Sequence, residues 1–268
     1  MKKNYLCDLH LHTMYSPDSN AGMKDMCDVA INTGLKYIAF TDHIEIPAFI
    51  ADGYDKSIAQ SFNEACKLKK IYKDRLHIAR GVEMGEPMHD LKTAEALLET
   101  YEFDYVLGSL HNLLGEVDFF YYDYSDVDIK RLMERFFNET LDMVRWGRFD
   151  TLAHLTYPFR YLPNTQQQVN YDPWMEIIDE IFRVMAEKGI ALEINTSGFR
   201  HGSKTMPDAE LISRFKQLGG QRVTIGSDAH KVADVGKYVE DGIKAAKSAG
   251  FEYIAIFQNR KAKMLSIN

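Results

Sequence analysis

Apolar residues in this chain gather in short runs, and most runs are followed by a longer stretch whose apolar positions recur every three or four residues. The runs are "YLCDLHLH" (5–12), "YIAFTDH" (37–43), "HIARGVEMG" (77–85), "DYVLGSLH" (104–111), "FDTLAHL" (149–155), "IALEINTSG" (190–198), "RVTIGSDAH" (222–230) and "EYIAIFQ" (252–258). Their length and their polar or glycine boundaries predict buried strands rather than helix segments. Between them, helical periodicity predicts helices over 23–35, 57–74, 126–147, 172–189, 208–220 and 239–250. Stretch 23–35 places Met23, Met26, Ala30 and Ile31 on one face and stops at Gly34. Stretch 57–74 opens on a serine cap, and 126–147 opens on Asp126 and stops at Gly147. Stretch 172–189 pairs an Asp-Pro start with a glycine stop.

Strand–helix alternation of this kind implies a parallel sheet covered by helices. Seven or eight such units in 268 residues suit one closed β/α barrel spanning residues 1–268. An open doubly wound sheet is the alternative. No G-x-G-x-x-G follows the first strand, which removes the dinucleotide-binding reason for that choice.

The ends of the strands carry the chemistry. The first run ends in His10 and His12, the second in His43, the fourth in His111 and the seventh in Asp228 and His230. The third carries Glu83 and the fifth His154 near their ends. In a parallel barrel the carboxyl ends of all strands share one face, which holds the active site. Residues i and i+2 of a strand point the same way, so His10 with His12, and Asp228 with His230, can each serve one metal ion. Imidazole and carboxylate together suit zinc, iron or manganese rather than calcium. A lone H-x-H is a weak sign in a chain with nine histidines; six histidines and two carboxylates at one face is a strong one. His77 begins a strand and reads as structural, whereas His89 and His201 fall on loops that can approach a substrate.

Composition narrows the partners. The formal charge of −7 and the lack of a basic stripe disfavour long nucleic acid. The three cysteines form no C-x-x-C pair, which argues against a disulfide framework and for a reducing, cytoplasmic setting. The opening segment lacks the apolar core of a signal peptide, and no apolar run reaches membrane-spanning length.

The segments "DLHLHTMYSPD", "FTDH", "GVEMG", "GSLH", "LAHL" and "GSDAH" resemble, in order, the motifs of the polymerase and histidinol phosphatase (PHP) domain family. Together with chain length and "EINTSGFR", they look like its stand-alone histidinol-phosphate phosphatases. The resemblance implies a distorted seven-stranded β/α barrel holding three divalent metal ions, zinc and/or iron or manganese. It places His10, His12, Glu83 and Asp228 on one ion, with Glu83 bridging to a second held by His111 and His154. It places Asp18, His43 and His230 on a third, Asp18 standing where other branches carry histidine. The eighth run is then an extra or barrel-closing strand.

The activity implied is hydrolysis of histidinol phosphate, a small phosphomonoester, by water activated between metals. Arg160 and Arg200 fall on loops at the active face and offer planar forks for phosphate. Asp42 orients a ligand or bound water, or protonates the leaving alkoxide, although strand alternation turns it away from the site. Ser16 and Asn195 are weaker candidates for phosphate or water contacts. The loop 112–128, rich in aromatic and acidic residues, either surrounds a cationic imidazole, with Glu116 or Asp118 supplying charge, or packs without touching ligand. The rival readings are a phosphodiesterase acting on short nucleotides and a noncatalytic metal-binding module. Oligomeric state is not legible.

Overall fold

The structure is a computed structural model that describes residues 6–162, 169–202 and 204–268. Seven parallel strands form a nearly closed barrel in the order β1 (Cys7–Leu11), β2 (Tyr37–Phe40), β4 (His77–Gly85), β5 (Tyr105–Ser109), β6 (Thr151–Leu152), β7 (Ala191–Asn195) and β8 (Val223–Gly226). A short β3 (His43–Glu45) continues the path of β2 along the same neighbour, with His43 opposite Glu83. The barrel closes through a thin seam between β1 and β8. There Leu11 bridges Ala229, and the His12 N–H donates to Ala229 O at 3.0 Å.

The strands read as nearly continuous apolar runs because helices cover their outer faces. All five residues of β1, β5 and β7 are buried. The covering helices are α1 (Met23–Asn32), α2 (Tyr54–Ile71), α3 (Leu91–Thr100), α4 (Ile129–Trp146), α5 (Met175–Lys188), the single turn α6 (Gly198–His201), α7 (Ala209–Gln217) and α8 (Val239–Ser248). Helix α4 shows the logic: Leu132, Met133, Phe136, Phe137, Thr140, Leu141, Met143 and Val144 make one buried stripe. Its cap is Asp128, whose carboxylate accepts the Arg131 N–H, rather than Asp126, and Gly147 ends it at φ 68°.

Other boundaries moved too. Helix α2 starts at Tyr54, after Gly53 at φ 77°, and Ser57 donates back to Tyr54 O inside the first turn. Asp172–Trp174 is a 3-10 turn leading into α5. Helix α3 lies outside the expected elements, although Leu91, Ala94, Leu97 and Leu98 recur at helical spacing and Ala94 and Leu97 are buried. Asp90 caps it by accepting the Thr93 N–H.

The eighth run does not close the barrel. It forms β9 (Tyr253–Gln258), which pairs antiparallel with β10 (Lys261–Ser266) in a separate two-stranded sheet. This hairpin packs at the end of the barrel where the strands begin. Phe257 stacks on Tyr105 with ring centroids 5.1 Å apart, and the Asn259 N–H donates to Asp104 Oδ1 at 3.1 Å. With that end covered, the opposite end is free to open as a cleft. No described helix is long and apolar enough to cross a membrane.

Candidate metal centre

Strand geometry carries the polar cluster to the carboxyl end of the barrel. His10 is the fourth residue of β1 and His12 follows the strand, so both rings face the same interior space, 4.9 Å apart. Glu83, in β4, stands at the centre. Its Oε2 lies 3.2 Å from His10 Nε2, 3.4 Å from His12 Nε2 and 3.0 Å from His43 Nδ1. Its Oε1 lies 2.8 Å from His154 Nε2 and 3.3 Å from His111 Nε2. Each oxygen of one carboxylate thus faces its own set of histidines.

The loop after β8 completes the cluster. Asp228, at φ 55°, brings Oδ1 to 3.4 Å from His12 Nε2 and 3.5 Å from His230 Nδ1. Asp18 Oδ2 lies 2.9 Å from His230 Nε2 and 3.7 Å from His43 Nε2. The nine expected ligands therefore come together around one space.

The donor set fits divalent metals. Four atoms at the heart of the cluster, His10 Nε2, His12 Nε2, His43 Nδ1 and Glu83 Oε2, are buried without a hydrogen-bond partner. Leaving each unsatisfied costs about 1–3 kcal/mol, and they point at one another rather than apart. Bonds of about 2.1 Å in tetrahedral geometry set ligand atoms roughly 3.4 Å apart, which is the spacing seen here. Among the described residues, His12 with His43 and His230, His10 with His12 and Glu83, and His43 with Glu83 and His111 each converge closely enough to hold an ion.

Electrostatics give the same picture. Burial drives the His10 pKa down, but Glu193, Glu83 and Asp228 outweigh it and leave the group well above its ordinary value. Burial likewise opposes charge on His43, and Glu83 and Asp18 lift it to about 10. Burial, together with His43 and His230, depresses His12. Burial raises Glu83, yet His10, His43 and His111 bring it well below the usual carboxylate range. The carboxylates thus favour positive charge at His10 and His43, charge of the kind a divalent ion supplies while leaving the imidazoles neutral.

A second layer orients these ligands. Glu193 Oε1 takes His10 Nδ1 at 2.7 Å, while its Oε2 accepts the His154 N–H at 2.8 Å and Asn195 Nδ2 at 3.1 Å. A carboxylate at Nδ1 fixes the proton there and turns the Nε2 lone pair inward. His12 is set by a relay: Nδ1 donates to Ser16 Oγ at 3.2 Å, and Ser16 Oγ donates to Asp42 Oδ1 at 2.8 Å. Asp42 also accepts the Thr13 N–H at 2.6 Å and Ser61 Oγ at 2.6 Å, so it sits fully buried behind the ligands. Its pKa is raised, because burial outweighs these bonds.

A cleft of about 1050 Å³ opens over the cluster, lined by His43, His111, His154, Asp228, His230, Asp18 and Ser16. Tyr157, Arg160, Tyr161, Asp118, Phe120 and Tyr121 form another part of its wall. Arg160 is its sole lysine or arginine among the described residues and lies over the Tyr157 and Tyr161 rings at 5.8 and 5.3 Å. Arg200, expected at the phosphate, is turned instead to main chain: it donates to Ser227 O and Asp228 O, both at 2.7 Å. Asn195 braces Glu193 and Asp228 from behind the cleft.

Glu116 is paired with Arg135 at 2.8 Å, and Asp118 accepts the Tyr157 hydroxyl at 3.0 Å; both line the cleft. His89 pairs with Glu139 at 3.1 Å instead of facing the cleft. His77 stacks on Tyr37 at 4.8 Å where β4 begins. The His201 side chain lies outside the described residues. Sequence reasoning missed Glu193, Glu45 and Glu86; an acidic residue inside an otherwise buried strand such as "ALEIN" is the signal that marks the first, since burying a lone charge is costly.

Known proteins resemble this chain in sequence and in fold. A histidinol-phosphatase of Lactococcus lactis subsp. lactis is 30% identical over 261 residues, covering 95% of each chain. The crystal structure of histidinol phosphate phosphatase from Lactococcus lactis, complexed with zinc, L-histidinol and phosphate, superposes with a TM-score of 0.81 at 27% identity, covering 98% of this chain and 99% of that one. The model of the PHP domain family matches residues 8–197. With the motif order, the barrel and the histidine–carboxylate cluster in agreement, this chain belongs to the PHP domain family.

Proposed function

We propose that the protein is a metal-dependent phosphomonoesterase that hydrolyses L-histidinol phosphate to L-histidinol and inorganic phosphate. The observation that carries this reading is the placement of Glu83, with one oxygen toward His10, His12 and His43 and the other toward His111 and His154, on the floor of a cleft whose arginine is Arg160. The relative crystallised with zinc, L-histidinol and phosphate supports the substrate. His10, His12, Glu83 and Asp228 would hold one divalent ion, Glu83, His111 and His154 a second, and Asp18, His43 and His230 a third, the candidates being zinc, iron and manganese.

Bound there, divalent ions supply Lewis acidity and water activation near neutral pH. Arg160, set against the Tyr157 and Tyr161 rings, binds phosphoryl oxygens through its planar fork. Ser16 and Asp42 orient His12 from behind, and Asp42 therefore acts by positioning in this reading. The aromatic wall with Asp118 receives the imidazole-bearing alcohol as the phosphoester bond breaks.

The test is phosphate release by purified, metal-loaded protein from histidinol phosphate, p-nitrophenyl phosphate, nucleotides and oligonucleotides. Histidinol phosphate is expected to give the highest kcat/KM. Preference for an oligonucleotide overturns the proposal in favour of a phosphodiesterase, and no turnover of any ester favours a noncatalytic module.

A further inference from the structure

His111 is gripped from two sides by carboxylates outside the expected ligand set. Glu45, the last residue of β3, brings Oε1 to 3.2 Å from His111 Nδ1. Glu86, one residue past β4, accepts the His111 main-chain N–H at 2.6 Å and the Asn112 N–H at 3.4 Å. Its own N–H donates to Ser109 O at 3.1 Å, tying the end of β4 to the end of β5. The backbone is shaped around this pair. Glu86 is held at φ 50°, an uncommon conformation for a residue with a side chain. Gly85 leaves room for its neighbour, since a Cβ there would fall 1.9 Å from Glu45 Oε2.

We infer that Glu45 and Glu86 are positioning residues for His111, Glu45 through the ring and Glu86 through the main chain. With Nδ1–H donated to Glu45, the Nε2 lone pair is aimed at the space shared with Glu83 Oε1, 3.3 Å away, and His154 Nε2, 3.4 Å away. The inference rests on the reading of the cluster as a metal centre. Glu45, Glu86 and His111 also converge closely enough to hold an ion themselves. That arrangement requires His111 to ligate through both nitrogens as an imidazolate, which the Glu45 contact disfavours because a carboxylate at Nδ1 holds a proton there.

The test compares full-length wild type with Glu45→Ala, Glu45→Gln and Gly85→Ala. Metal stoichiometry is measured by elemental analysis, affinity by chelator competition, and site geometry by the visible spectrum of the Co²⁺-loaded protein, with a circular-dichroism melt as the check on folding. Glu45→Ala and Gly85→Ala are expected to weaken one metal equivalent by about 10–100-fold and to alter the Co²⁺ spectrum. Glu45→Gln, whose amide oxygen still accepts from Nδ1–H, is expected to stay close to wild type. Variants that all bind metal as wild type does overturn the positioning role while leaving the centre intact. A fourth equivalent in wild type that disappears in Glu45→Ala also overturns it, in favour of a further ion site. Wild type that takes up no metal overturns the centre itself and this inference with it.

Discussion

Replacing Glu193 with glutamine keeps the side chain's shape and removes its charge, which makes it a sharp probe of how the centre is aligned. Glu193 is buried, with 1% of its side chain exposed, and both oxygens are occupied by His10 Nδ1, the His154 N–H and Asn195 Nδ2. A glutamine has one accepting end. If its oxygen faces His10, its NH₂ meets two donors, and each buried donor left unpaired costs about 1–3 kcal/mol. If its oxygen faces His154 and Asn195, its NH₂ meets His10 Nδ1. The imidazole must then move its proton to Nε2, the atom that faces Glu83, and lose its inward lone pair. No flip satisfies all the partners. The expected result is metal affinity lower by about 10–100-fold, read by chelator competition and elemental analysis, with kcat for histidinol phosphate falling alongside metal occupancy. Gly226→Ala should act in the same direction, because its Cβ would fall 2.3 Å from Glu193 Oε1 and 2.5 Å from His10 Cβ. A Glu193→Gln protein that binds metal within twofold of wild type refutes the alignment argument.

Glu83→Gln should strip at least one metal equivalent and lower kcat by about 100-fold or more; unchanged metal content and activity exclude a bridging role. Arg160→Met should reduce kcat/KM by about 10–100-fold, the equivalent of about 1.5–3 kcal/mol for a charge-assisted bond, with metal content intact; loss of metal instead assigns the arginine to folding. Asp104 offers a pH test away from the centre. Burial raises its pKa, but Arg80 and Lys69 outweigh this and bring it from 3.8 to about 2. A depressed acid contributes stability that is present above its unfolded pKa and lost as pH falls through the folded one. Asp104→Asn should therefore cost on the order of 1–2 kcal/mol in urea unfolding at pH 7, and the gap should narrow toward pH 2. A gap that does not change with pH removes the ion-pair explanation.

The legible part of the fold was its repetition. Apolar runs of strand length are short-range features, and the residues ending them followed from chain direction alone. That is how His10 and Asp228, more than two hundred positions apart, were expected at one face. The eighth run shows the limit: "EYIAIFQ" has the same local pattern as a barrel strand, but its partner is set by a tight turn at Asn259 and Arg260, both at positive φ, that folds the chain back on itself. Arg200 shows another limit. Sequence position put it on the correct loop, but only the three-dimensional path reveals two main-chain carbonyls within its reach. Helix α3 is a different case: Leu91, Ala94, Leu97 and Leu98 recur at helical spacing behind the Asp90 cap, so this element was legible in the sequence and is simply absent from the expected helices.

The second layer was least legible, and it carries much of the physical design. A ligand histidine is recognisable by where it sits, whereas its orienting partner is defined by which ring nitrogen it faces. Two chemistries meet that need here, a direct carboxylate and a hydroxyl relay. His10 uses a direct carboxylate, Glu193; His12 uses a hydroxyl relay through Ser16 to Asp42; His111 uses Glu45 across a gap that Gly85 keeps open. The common outcome is that Nδ1 is occupied and Nε2 faces the shared space. Such orientation removes rotational freedom from each ring before any ion arrives, so binding does not have to supply that ordering. It also explains why buried acidic residues outnumber those needed as ligands: Glu193, Asp42 and Glu86 are tolerated because each holds a donor that must point in one direction.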